Sequence, residues 1–288
     1  MNKLLLMGLC TASLLQAETS VSAYGGGIDY TDSVKDTGWF AGAYFQNSSL
    51  KNKIELDYER TEISYIDETL EDIKQNDFTA VWTHFVGKNL LFRVGGHYID
   101  SNDKDTDEAY TAFAGVKYYQ GYDFDLGVDG YYSEYTNYDR TDGSTGLTVT
   151  QVEPSVGFTF GDYRSTIGSF YLKGFYTYIS PDTVEGGLLD ESYHSGGLQF
   201  KNFNGNWTNE FGVWVGKQVF GVRHEGFTIY NLAEERKGGF HLSSQYAFSK
   251  SASLKLQYSY EKFDEADSNA IIKNATSNIF ALFLNYGF

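Results

Sequence analysis

Cysteine and proline are almost missing from this chain, and basic residues are few. Its 288 residues hold one Cys, two Pro and 22 Lys plus Arg against 38 Asp plus Glu, a formal net charge of −16. A single cysteine excludes an internal disulfide framework. The acid excess repels a phosphate backbone and excludes nucleic acid as a partner. Past the first seventeen residues there is no run of about 18 uncharged apolar residues, which excludes a helical membrane span. What is plentiful is Tyr (24), Phe (22) and Gly (31), with aromatics at 17%. An acidic disordered chain would lack those aromatics. The class that remains is an all-β chain rich in Tyr and Gly.

Lys3 precedes an apolar stretch over 4–15, and Ala17 precedes the polar Glu18-Thr19-Ser20. This is the layout of a secretory signal peptide, too short to anchor stably in a bilayer. The expectation is a removable segment at 1–17 followed by one domain over 18–288. Leu9 stands where a lipidated Cys10 would need a small residue, so lipidation is not expected. Cleavage would take away the one cysteine, and with it any thiol nucleophile or thiolate metal ligand.

From residue 20 onward apolar and polar residues alternate with period two, the signature of strands with two unlike faces. Phe92, Val94, Gly96 and Tyr98 form one row; Phe124, Leu126, Val128 and Tyr132 form another, opposed by Asp125 and Asp129. Residues two apart lie on opposite sides of a helix, so these rows are not amphipathic helices. The pattern predicts fourteen strands, with twelve and sixteen as open alternatives. They fall at 20–31, 37–48, 53–65, 77–87, 89–101, 108–120, 123–135, 147–160, 166–179, 191–203, 207–222, 238–249, 253–264 and 276–288. Connections after even-numbered strands are tight, as at Gly87-Lys88, Gly161-Asp162-Tyr163 and Asn204-Gly205-Asn206. Those after odd-numbered strands are longer and mostly acidic, at 66–76, 102–107, 136–146, 180–190, 223–237 and 265–275. Such sorting fits a transmembrane antiparallel β-barrel with short periplasmic turns and long extracellular loops. In hydrocarbon each unpaired backbone group is costly, so a sheet survives there only by closing on itself. Pro154 falls inside the eighth strand, where a closed wall has no free edge, and predicts a bulge.

The last strand carries the most specific pattern: Phe280, Leu282, Leu284, Tyr286 and Phe288 alternate with Ala281, Phe283, Asn285 and Gly287. Here the chain resembles Gram-negative outer-membrane β-barrel proteins, whose final strand ends in an aromatic residue preceded by apolar residues at every second position. The resemblance implies that the row from 280 to 288 is read by the barrel-assembly machinery. It also implies a multi-pass barrel in the cell outer membrane, in contact with its lipid and lipopolysaccharide. A chain of this length in fourteen strands looks like the monomeric porin type, and a monomer is expected. Phe283 departs mildly from the pattern by making the inner face less polar.

A Lys or Arg facing lipid near the midplane costs about 2–4 kcal/mol, which assigns charged positions to the inside. The inner face then carries Lys53, Glu55, Asp57, Glu59, Arg93, His97, Lys117, Asp125, Asp129, Glu153, Lys173, Lys201, Glu210, Lys255 and Glu261. Acids outnumber bases by two among these, which predicts a weak cation preference. Fourteen strands leave more room than side chains readily fill, so a water-filled pore is expected; an interior plugged by ion pairs is the alternative. Inward aromatics, among them Tyr44, Phe113, Tyr131, Phe175 and Trp214, either narrow the bore or offer a solute a stacking track. Outward Tyr98, Tyr110, Tyr132, Trp207 and Tyr286 fit interfacial girdles.

The stretch containing Arg223, His224, Glu225, Phe227 and Tyr230 differs from the other long connections. It is apolar enough to want burial and is expected to fold inward as a constriction or to form an extra hairpin; simple extension of its flanking strands is the alternative. No cofactor or metal motif is found. The five histidines, His84, His97, His194, His224 and His241, lack paired ligand spacing. The run Gly212-Val213-Trp214-Val215-Gly216-Lys217 is one residue short of a phosphate-binding loop, with Gln218 where a hydroxyl residue belongs. No Gly-x-Ser-x-Gly elbow occurs. The reading is a porin or channel for passive diffusion of small hydrophilic solutes or ions, and not an enzyme. A surface-adhesion or structural barrel working through its loops competes with it, and an outer-membrane hydrolase using His97 or His241 is a third class.

Overall fold

A strand that is apolar on one side and charged on the other is satisfied only where those sides meet different media. A computed structural model of the chain describes residues 18–121, 123–140, 143–183, 190–232, 234–267 and 270–288. The expected signal peptide at 1–17, Tyr122 of a tight turn expected at Gln120-Gly121-Tyr122, and parts of the connections expected at 136–146, 180–190, 223–237 and 265–275 lie outside these residues.

Eleven strands run in order from the start: β1 (Glu18–Thr31), β2 (Lys35–Ser48), β3 (Asn52–Tyr65), β4 (Ile73–Val86), β5 (Leu90–Ser101), β6 (Tyr110–Gln120), β7 (Phe124–Asp139), β8 (Thr145–Gly161), β9 (Ser169–Pro181), β10 (Tyr193–Asn204) and β11 (Trp207–Gln218). Two short strands, β12 (Val222–Arg223) and β13 (Thr228–Ile229), flank a 3-10 turn over His224–Gly226. Three more strands complete the wall: β14 (Glu234–Ala247), β15 (Ala252–Asp267) and β16 (Ala270–Gly287). Every neighbour in the wall is antiparallel, and β1 closes on β16 from Ser20↔Gly287 to Thr31↔Thr276. The result is a closed fourteen-stranded barrel, as the alternation predicted. Strand β11 pairs directly with β14, and β12–β13 form a separate two-stranded ribbon.

The faces separate cleanly. Arg93 is 6% exposed, while its neighbours Phe92 and Val94 are 43% and 47% exposed. On β16 the row Phe280, Leu282, Leu284, Tyr286 is exposed on the outside, whereas Phe283 stacks on Tyr24 at 5.2 Å within. An outer aromatic line crosses four strands in register, Tyr58↔Phe78, Phe78↔Tyr98 and Tyr98↔Tyr110, and continues diagonally to Tyr132, which pairs with Ala112. Above this line the outer face turns polar, with Arg60 bonded to Glu62 and Asn76, and Asn76 to Asp100. An aromatic row between an apolar belt and a polar band is where a lipid–water interface would lie.

Three expectations are corrected. Pro154 makes no bulge: pairing with β9 keeps one register from Val152↔Tyr178 to Ser155↔Phe175, and Pro154 itself pairs with Val128 of β7. Lacking an N–H, it breaks the ladder locally without displacing it. Bulges occur instead near the loop-side ends, at Lys35/Gly38, Tyr135/Asp139, Val215/Gln218, Arg236/Gly238 and Phe263/Glu265. Second, much of the expected loops 136–146 and 265–275 is strand, so β7–β8 and β15–β16 project as hairpins on that side. Third, the turn expected at Gly161-Asp162-Tyr163 extends to Gly168, and β9 begins at Ser169. The other turn-side connections are short, with Gly87 and Gly205 at φ of 65° and 58°, a conformation that glycine adopts without a Cβ clash.

Candidate pore constriction

After β11 the chain leaves the wall and enters the barrel. The sequence explains the descent: Val219, Phe220 and Val222 are apolar and surround only Gly221, so solvent is a poor home for them. Val219 and Phe220 pack with Ile99, Ala109, Tyr135, Tyr138, Leu147, Val149, Ile179 and Tyr193 into a core on the loop side of the lumen. The Tyr135 and Phe220 rings are 4.6 Å apart. Val222 sits in a second cluster with Val81, Phe113 and Tyr131.

Polar side chains from the wall stand in for absent strand partners. The Gln151 amide donates to the Val222 carbonyl at 2.7 Å and accepts from its N–H at 2.8 Å. Asn231 donates to Gln75 at 2.5 Å. The buried Val222 N–H and carbonyl are satisfied in this way by a side chain. Gly226 lies against Phe113, where an added Cβ would collide with the ring. Phe227 meets Tyr44 edge-on at 5.8 Å, and Arg223 stacks over Trp214 at 4.7 Å. The inward aromatics therefore grip the hairpin rather than form a bare track.

At its tip Glu225 pairs with Arg93, which also donates to Asp129 at 2.7 Å. Enclosure by the wall pushes the Glu225 carboxyl up, but Arg93 first, then Lys117, Lys173 and Lys53, outweigh this and hold it at about 2, well below the usual range. The Glu225 side chain remains 51% exposed to lumen space. His224 accepts from or donates to Thr228 at 3.0 Å and lies 6.2 Å from the His241 ring. On the opposite side Tyr230 donates to Glu261, and Arg236 stacks over the Tyr230 ring at 3.7 Å while pairing with Glu261 and Glu234. Lys35 is buried between Glu234 and Glu265, 2.6 Å from the latter.

The remaining charged positions expected inside lie on the inner face, some in ion pairs and others against hydroxyls or aromatic rings. Glu55 accepts from Tyr44 at 2.6 Å and pairs with Lys53 at 2.9 Å; Asp57 accepts from Tyr24 at 2.9 Å. Lys117 meets Asp125 at 3.2 Å, and Glu210 takes both Lys201 at 3.1 Å and His241 at 2.8 Å. Glu153 accepts from Thr177 at 3.1 Å, while Lys173 and Lys255 lie over Phe175 and Phe283. His97 is buried between Asp77 at 3.0 Å and Thr79 at 2.7 Å. That hydroxyl–imidazole–carboxylate chain has the connectivity of a hydrolytic triad. All three side chains are nearly closed to solvent, which suits a satisfied core histidine. Several wall groups that hold the hairpin (Gln75, Gln151 and Arg236), and the buried Lys35, Glu234 and Glu265 linked to Arg236, were not singled out from the sequence. Most lie at strand ends that the alternation placed in loops, and the bulges at Lys35/Gly38 and Arg236/Gly238 put Lys35 and Arg236 out of phase with the inner rows of their strands, so continuing the period two would not have found them.

The barrel is similar in fold to outer-membrane channels of known structure. It aligns with the CymD monoaromatic hydrocarbon channel at a TM-score of 0.56 and 7% identity, covering 94% of this chain and 88% of that one. The Ralstonia pickettii toluene transporter TbuX gives 0.55 at 8% identity, with 94% and 88% covered. The NanC porin gives 0.53 at 9% identity, with 91% and 98% covered. No protein-family model matches the sequence, and no curated protein matches it.

Proposed function

We propose that this protein is an outer-membrane channel for small hydrophilic solutes or ions, its turn side toward the periplasm and its hairpin over 219–232 acting as the constriction. One observation carries the reading: the inner wall on the turn side is charged and open to solvent up to the Glu225–Arg93 pair. Side chains of Lys53, Lys117 and Lys201 are 27%, 21% and 31% exposed there. Charges sealed in a dry barrel would be as closed to solvent as Lys35, whose side chain is 5% exposed. Two of the structural neighbours are named for hydrocarbon cargo; the charges facing the open space here favour water-borne solutes instead. In this reading the outer aromatic line marks the lipid boundary, the acidic loops meet lipopolysaccharide, and the final strand serves the barrel-assembly machinery. The chain works as a monomer, by transport rather than catalysis.

The test is planar-bilayer recording on refolded protein, with and without residues 222–230. Stable open-channel steps are expected, and several-fold larger ones after the deletion. A folded barrel that stays silent at every voltage in both forms would defeat the proposal.

A further inference from the structure

We infer that the lumen beneath the hairpin contains a binding site for small carboxylate anions, and that Glu225 occupies it as a tethered substitute. Its role in selecting solutes rests on the channel reading; the site itself rests on what surrounds the hairpin tip. Four cations from four strands act on the Glu225 carboxylate: Arg93 of β5, Lys117 of β6, Lys173 of β9 and Lys53 of β3. Three of them have acids of their own on the wall, namely Asp129, Asp125 and Glu55. Lys173 makes no direct ion pair among the described residues, and the nearby Glu153 feels Arg223 as well. With Glu225 withdrawn, the ring is one acid short.

Donors stand ready for that missing anion. The Arg93 side chain is 6% exposed, yet its Nε has no hydrogen-bond partner. Ser155 Oγ is likewise buried without one. It lies beside Lys117, since a Cβ on Gly127 would be 3.2 Å from Ser155 Oγ and 3.4 Å from Lys117 Cε. Unpaired buried donors at a half-open acid are the mark of a site built for an acceptor.

The backbone points the same way. His224, Glu225 and Gly226 have φ of 49°, 64° and 99° in succession. Left-handed geometry at a non-glycine residue costs about 1–2 kcal/mol and persists where surrounding contacts enforce it. Here the enforced outcome is a carboxylate delivered into the cation ring. A free carboxylate of similar size would meet the same donors once the tip moved aside.

Titration calorimetry of acetate into the refolded full chain in detergent, at fixed ionic strength, tests this directly. Removing the tethered competitor in Glu225→Ala should strengthen acetate binding by about tenfold or more, as loss of a millimolar effective concentration implies. Adding Lys173→Met, which breaks no direct ion pair, should take the gain away. In bilayers under a potassium acetate gradient, Glu225→Ala should move the reversal potential toward the anion. Acetate affinity no greater in Glu225→Ala than in the unaltered protein overturns the inference. Binding as expected in a barrel that never conducts leaves the site standing and defeats the channel reading; conduction without the affinity gain does the reverse.

Discussion

Two lysines measure how different the halves of this lumen are. On the loop side Lys35 is 5% exposed and locked between two buried carboxylates; on the turn side Lys201 is 31% exposed beside Glu210. Both sit on an inner face of the same barrel. Around the first, the Tyr30 and Phe263 rings stand 5.6 Å and 5.3 Å from the ammonium and shut out water; around the second, side chains alone leave the bore open. The contrast teaches that the cylinder does not decide whether it is a plug or a pore. A dozen or so residues that leave the wall decide it, because only they can fill the gap that fourteen strands leave.

The comparison is most exposed to attack at Phe220. Its ring fills the loop-side core, so Phe220→Ala should cost about 3–5 kcal/mol, read from the urea midpoint of the refolded barrel. A loss below 1 kcal/mol would mean that the two halves are packed alike. Gln151→Ala should cost about 1–3 kcal/mol, since it leaves the buried Val222 N–H and C=O unpaired. Faster amide exchange at Val222, with the wall amides unchanged, is the accompanying signature. On the turn side Lys201→Ala should change stability by less than about 1 kcal/mol, because a half-open pair is well screened. Its effect should appear in reversal potential instead, shifted toward cations.

Much of this architecture is legible from residue order alone. Phe92-Arg93-Val94 declares which way each side chain faces, because lipid tolerates one set and not the other. The inward turn of the hairpin is legible too, from an apolar stretch placed where acidic loops prevail. What resists reading is who meets whom across the lumen. Gln151 and Val222 are 71 positions apart, and nothing local to either hints at their pairing. Lys35, Glu234 and Glu265 sit at strand ends that overrun the apolar belt, where alternation no longer separates lipid from water. Pro154 misled for a different reason: a missing N–H interrupts one bond pair, and neighbouring pairs on both sides are enough to hold register.

The direct pairing of β11 with β14 has one more consequence. The wall's hydrogen-bond circuit closes without the peptide that joins those two strands. Backbone cleavage between 221 and 231 should therefore leave two fragments zipped into an intact cylinder. By the same logic the insert is a replaceable cartridge: another sequence threaded between Gln218 and Glu234 would give the same container a different stopper.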